Sequence, residues 1–202
     1  MVRVGITGGI GSGKTTVCEI FSQLNIPIYS SDEAAKSLMV NNADVKTALI
    51  EILGAEIYFP NGELNRKEIA NQIFTNNEKK IALERVVHTA VFVDSEYWFK
   101  KMTDEKHPYS LYESALLFES KLNHLLDKTI LVTAPEEMRI ERVITRSNGK
   151  LSKTEVEQRI KNQKSDEEKI KLADFVIHND NSQSLVQQVL QIHRSLLTFA
   201  SL

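Results

Sequence analysis

Gly8-Gly9-Ile10-Gly11-Ser12-Gly13-Lys14-Thr15 places Gly8, Gly13, Lys14 and Thr15 at the spacing G-x-x-x-x-G-K-[S/T], that of a phosphate-binding loop. Glycine permits dihedrals that a side chain forbids, so successive backbone N–H groups can converge on phosphate oxygens. A helix that starts at the loop adds the positive end of its dipole. Lys14 has the charge and reach for the terminal phosphates of a nucleoside triphosphate, and the Thr15 hydroxyl suits Mg²⁺.

Three further sets of residues could take part in phosphate chemistry. Asp32 follows a short apolar segment, Ile26-Pro27-Ile28-Tyr29. It reads either as a helix N-cap or as a carboxylate at the C-terminal edge of a strand, where it can orient an acceptor hydroxyl and take its proton. Arg142 and Arg146 are four apart and share a helix face. They form either a solvated basic face or a lid that neutralises charge on a transferring phosphoryl group. The alternating charges from Lys161 to Lys171 read as solvated. His88 reads first as a partly buried structural histidine, and Trp98 and Cys18 as packing.

The elements that must position these groups follow from periodicity. Val2 to Thr7 is an apolar, β-branched strand, and Thr16 to Leu24 a helix with Val17, Ile20, Phe21 and Leu24 on one face. Strand, glycine loop and helix thus stand in the order the motif requires. Further strands are expected near Ile28, over 108–113, over 129–133 and over 175–177, giving a five-stranded parallel sheet with helices on both faces. Residues 41–107 read as helical with a loop over 54–65, in which Asn65 caps the next helix. Glu136–Arg146 reads as a helix, and Ser152 with Glu155 as the capping box of another.

The chain has 202 residues, 42% hydrophobic, with a net charge of −2 and one cysteine. That length can bury a substantial core in one α/β domain. The charge provides no footprint for nucleic acid or an acidic membrane. A single cysteine excludes an internal disulfide and fits a reducing cytosol. No apolar run approaches the roughly 20 residues that span a bilayer, so a cytoplasmic protein with neither a membrane nor a nucleic acid as partner is expected.

Taken together, these residues resemble the dephospho-coenzyme A kinase family, the P-loop kinases that complete coenzyme A synthesis. Gly5 to Thr16 is similar to that family's opening nearly residue for residue. Asn65-Arg66, Ile73-Phe74, the His88 segment, Leu116-Leu117-Phe118-Glu119 and Ala173 to Asn179 resemble later landmarks. The resemblance implies a P-loop NTPase-type three-layer sandwich: a core over 1–40, 108–135 and 173–202, a helical acceptor-binding insertion over about 41–107, and a small lid over about 136–172. It implies ATP as co-substrate, Mg²⁺, and dephospho-coenzyme A as the small-molecule acceptor.

The implied roles fall on named positions. Backbone amides from Gly11 through Ser12, Gly13, Lys14 and Thr15 to Thr16 cradle the phosphates, and Thr15 helps to hold Mg²⁺. Asp32 deprotonates the hydroxyl, while Lys14, Arg142 and Arg146 steady the developing charge. Lys36, Arg66, Phe74 and His88 receive the acceptor. Four positions depart from the family pattern: Ser30, Lys36, Thr89 and Ala115. Lys36 keeps the charge of an arginine but not its bidentate fork.

Two other readings share the loop. One is a small P-loop kinase acting on a nucleoside monophosphate or a sugar hydroxyl. The other is a nucleotide-dependent switch, which would carry a guanine-reading Asn-Lys-x-Asp motif absent from this chain.

Overall fold

The computed structural model describes residues 1–201. Five strands, β1 (Val2–Gly8), β2 (Ile28–Ser30), β3 (Tyr109–Glu113), β4 (Lys128–Thr133) and β5 (Phe175–His178), form one parallel sheet in the order β2-β3-β1-β4-β5. The register pairs Val4 with Leu111 and with Lys128, and Leu131 with Val176. β1 is therefore central, and its Val4, Ile6 and Thr7 are fully buried. That is why this strand reads as a continuous apolar, β-branched run rather than an alternating one.

Nine helices accompany the sheet among the described residues. In unit with it are α1 (Lys14–Gln23), α6 (Glu136–Arg146), α7 (Lys153–Lys161), α8 (Asp166–Ile170) and α9 (Leu185–Ala200). Val17 and Phe21 of α1 and Val189, Ile192 and Leu196 of α9 pack into one core with Val4, Ile6, Leu111, Ile130, Val132 and Ile177. The capping box expected at Ser152 and Glu155 opens α7, and a second one, Ser165 with Glu168, opens α8. A smaller core of Ile140, Val143 and Val156 joins α6 to α7.

Residues Ser30–Lys100 form a separate compact unit. It contains α2 (Ser31–Asn41), α3 (Ala43–Leu53), α4 (Arg66–Thr75) and most of α5 (Asn77–Asp104). The expected cap is present: Asn65 Oδ1 accepts from the Glu68 N–H at 3.2 Å. Asn42 caps α3 in the same way, through the Val45 N–H. Val45, Leu49 and Leu53 are buried, so α3 turns an i, i+4 stripe inward, and Ile57 in the turn that follows is buried too.

Candidate active site

The glycine loop runs from the C-terminal end of β1 into α1, at the sheet edge where open α/β folds bind ligands. Gly11 and Gly13 have φ of 79° and 90°, a region that L-residues with side chains rarely occupy. Space forbids a side chain there too. A Cβ on Gly11 would strike the backbone of Arg139, and one on Gly13 would strike the Asn179 amide. The loop is thus enclosed from outside by other parts of the chain, and within it the Ser12 N–H donates to the Gly9 carbonyl at 3.0 Å.

Four side chains provide that enclosure. Asn179, just past β5, donates from Nδ2 to the Ser12 carbonyl at 2.7 Å. Arg139, buried on α6, donates from Nε to the Ile10 carbonyl at 3.1 Å and pairs with Asp166 at 3.3 Å. Gln163 accepts from the Ile10 N–H at 3.0 Å. Arg142 donates from Nη2 to the Asn179 carbonyl at 3.1 Å, so this arginine is tethered to the same brace. Arg146, one turn on, is exposed.

Lys14 Nζ lies 2.9 Å from Glu113 Oε1, and both side chains are mostly buried. Glu113 ends β3, beside β1 in the sheet. Thr15 and Thr16 are exposed at the start of α1. Cys18 is buried one turn into α1; burial, and secondarily the nearby Glu113 carboxylate, push its thiol pKa up to about 12. It is a packed thiol, as expected, and cannot supply a thiolate near neutral pH.

Donor type and charge fit a nucleoside triphosphate and a hard divalent cation. A lysine, loop amides and an exposed threonine match phosphate oxygens, and Glu113 adds a carboxylate 2.9 Å from Lys14, the first residue of α1.

The helical unit carries the other expected residues. Asp32 lies in the first turn of α2, whose N-cap is Ser30, so the N-cap reading of Asp32 is corrected. The chain is still extended at Ser30, as a strand end must be, and turns into the helix two residues earlier than expected. Asp32 is exposed, and its side chain makes no hydrogen bond or ion pair among the described residues. Lys36 pairs with Glu33 one turn back. Arg66 and His88 are exposed, and Phe74 is 91% exposed. His88 is therefore not a partly buried structural histidine: it faces outward from α5, whose buried positions nearby are Val87 and Val91.

A groove of about 640 Å³ in this unit is lined by Leu38 and Val45 and by Arg85, Thr89, Val93 and Tyr97 of α5. Lys36, Arg66, Phe74 and His88 are not in its wall. Arg85 and Thr89, each a turn or less from His88, are.

The chain from residue 2 to residue 184 matches the family model described as Dephospho-CoA kinase. The chain belongs to the dephospho-CoA kinase family. A dephospho-CoA kinase of Bacillus cereus is 35% identical over 181 residues, 90% of each chain. One of Salinibacter ruber is 38% identical over 182 residues, again 90% of each. The solved dephospho-CoA kinase of Campylobacter jejuni superposes with a TM-score of 0.73 at 26% identity, covering 98% of both chains. The family's enzymes are ATP-dependent kinases that transfer phosphate to a hydroxyl.

Within that family frame, several contributors here were not evident from motif spacing. Glu113 was assigned only to a strand end, although a carboxylate closing a buried strand beside the loop strand is itself a signal. Arg139 lies three residues before Arg142 on the same helix, so the stripe at 139, 142 and 146 was available to periodicity. The run from Lys161 to Lys171 is solvated at Lys161, Lys164, Glu167, Glu168 and Lys171, as expected, but not at Asp166 and Lys169. Lys169 is fully buried against Glu119 at 3.1 Å, and Asp166 holds Arg139. Dense charge hid two ion pairs whose partners lie 27 and 50 residues earlier in the chain.

Proposed function

We propose that this chain phosphorylates the ribose 3′-hydroxyl of dephospho-coenzyme A with ATP, giving coenzyme A and ADP. The observation that carries the reading is a glycine loop whose lysine is held by a carboxylate at the adjacent strand end, in a chain of this family. The family match favours this acceptor over a nucleoside monophosphate or a free sugar.

The chain's own groups supply the chemistry as follows. Amides from Gly11 to Thr16 and the Lys14 ammonium hold the phosphates and stabilise charge as the γ-phosphoryl leaves ADP. Thr15 would hold Mg²⁺, which when bound neutralises phosphate charge. Asp32 takes the proton of the attacking hydroxyl as the new O–P bond forms and the bond to the ADP oxygen breaks. Arg142 and Arg146 add positive charge from α6, the first helix of the lid. Lys36, Arg66, Phe74 and His88 receive the acceptor; Arg66, Phe74 and His88 are exposed, and Lys36 would exchange its pairing with Glu33 for the acceptor. The groove bounded by Arg85 and Tyr97 is a second surface of the right size for a small molecule. One free cysteine suits a cytoplasmic enzyme.

The test is ADP release with ATP and Mg²⁺, comparing dephospho-coenzyme A with AMP, CMP, adenosine and gluconate. Stimulation by dephospho-coenzyme A alone, with product phosphorylated at the 3′ position, is expected. Stimulation by another acceptor instead would overturn the substrate assignment while keeping the kinase.

A further inference from the structure

One side chain outside the loop holds both segments that frame the phosphate site. Gln163 lies two residues beyond α7 and is half-buried. Its Oε1 accepts from the Ile10 N–H at 3.0 Å, and its Nε2 donates to the Ala115 carbonyl at 3.3 Å. Ile10 is in the glycine loop. Ala115 is two residues beyond Glu113, the partner of Lys14. A carboxamide has one accepting and one donating end, and here each end meets its complement.

Ile10 is gripped on its other backbone group as well. Arg139 Nε donates to the Ile10 carbonyl at 3.1 Å, and Asp166, three residues after Gln163, holds Arg139 through Nη1. Segment 163–166 therefore grasps Ile10 twice, directly by Gln163 and through Arg139 by Asp166. The same segment is anchored to the stretch after β3 by Glu119, which accepts from the Lys164 N–H at 2.9 Å.

We infer that Gln163 is a positioning residue for the nucleotide phosphates, setting the curvature of the glycine loop at Ile10 and its spacing from the Glu113 side. The Ile10 N–H is bonded to Gln163 and is not among the amides assigned to the phosphates. Holding it there fixes the peptide planes that follow, whose amides must converge on one anion before it arrives. Without Gln163 the Ile10 N–H and the Ala115 carbonyl lose their partners together, and the loop must be ordered at the cost of binding. ATP affinity thereby depends on segment 163–166 being seated, which ties the exit of the lid to the nucleotide site. This inference rests on the kinase reading only for the identity of the acceptor; the nucleotide step is its own.

The experiment is calorimetric titration of the full chain with ATP and Mg²⁺ and, separately, with dephospho-coenzyme A. Gln163→Met keeps side-chain length and packing and removes both hydrogen bonds. Gln163→Asn keeps the amide but is one methylene too short to span both partners. Each is expected to raise the Kd for ATP about tenfold, the scale of one to two net hydrogen bonds, with the Kd for dephospho-coenzyme A changed by less than about twofold. A packing role would leave Gln163→Met binding ATP like the parent. That result, or an equal loss for both ligands, overturns the inference. Should Gln163→Met fail to fold, the same comparison is made on Gln163→Asn. A parent that binds ATP yet transfers nothing to dephospho-coenzyme A overturns the substrate assignment alone, and the ATP isotherms still decide the role of Gln163.

Discussion

Asn179 Nδ2 donates a 2.7 Å hydrogen bond to the Ser12 carbonyl, joining the end of the last strand to the turn that opens the first helix. The bond needs Gly13 beside it, since a Cβ there would occupy the position of the amide nitrogen. Asn179→Ala would leave the Ser12 carbonyl buried without its partner, while Arg142 keeps its 3.1 Å bond to the backbone carbonyl of residue 179. A loss of about 1–3 kcal/mol is expected, read as a lower urea midpoint, together with weaker ATP binding. Gly13→Ala should do more harm to ATP binding than Asn179→Ala, because it adds a strained φ to the collision.

Lys14 and Glu113 behave as a pair for stability and separately for activity. Glu113→Gln leaves the ammonium under-compensated in a mostly buried site, and a loss of ~2 kcal/mol is expected, between the values for exposed and buried ion pairs. Lys14→Met should cost a similar amount of stability and roughly 10²–10³ in kcat. The double variant should regain part of the stability and none of the activity. Equal stability losses that simply add would show that the two charges do not interact in solution.

The Asp32 side chain has no hydrogen bond or ion pair to lose, and its place in the first turn of α2 is only weakly stabilising through the helix dipole. Asp32→Asn should therefore leave the melting temperature nearly unchanged while lowering transfer by roughly 10²-fold or more. ATP binding should stay near the parent's. Near-normal turnover would remove Asp32 from the role of base.

His193 on α9 sits 2.6 Å from the Tyr109 hydroxyl through Nδ1. Burial, and then the neighbouring Arg194, hold its pKa below the usual histidine range. The folded protein thus keeps the ring neutral at pH values where the unfolded chain, titrating near 6.5, has begun to bind a proton. Its contribution is complete above about pH 6.5 and is lost as pH falls through the lower folded value. Urea midpoints measured from pH 8 down to pH 5 should decline in the parent and decline less in His193→Gln.

Cys18 titrates at about 12 because it is buried beside Glu113. Iodoacetamide at pH 8 should leave it unmodified in the folded protein and label it once urea unfolds the chain. Rapid labelling of folded protein would show that α1 opens locally.

Where local rules decide, sequence reading and structure agree. The caps at Asn65 and Ser152 depend on residues three apart, and β1 and β4 read as strands because central parallel strands are apolar on both faces. The miss at Ser30 came from a strand and a helix that meet without a loop, leaving both boundaries inside one run of polar residues. Glu113, Arg139, Gln163 and Lys169 act through partners 27 to 153 residues away, and no spacing rule spans such distances. His88 misled because α5 turns His88 outward while its neighbour Val87 is buried, and on a helix one position decides which way a side chain points.

The sheet order bears on how the chain comes to be folded during synthesis. β1 leaves the ribosome before either of its neighbours, β3 and β4, and its loop takes braces from residues 139, 163 and 179. At about 5–20 residues per second, the segment from Ser12 to Asn179 takes on the order of ten to thirty seconds to appear. Until β3 and β4 appear the nascent strand holds Val4 and Ile6 with no sheet to enter, and until residue 179 its loop lacks the last of its braces. The interval grows with every slow codon, so the elongation rate between residues 30 and 130 should govern how much newly made chain escapes aggregation.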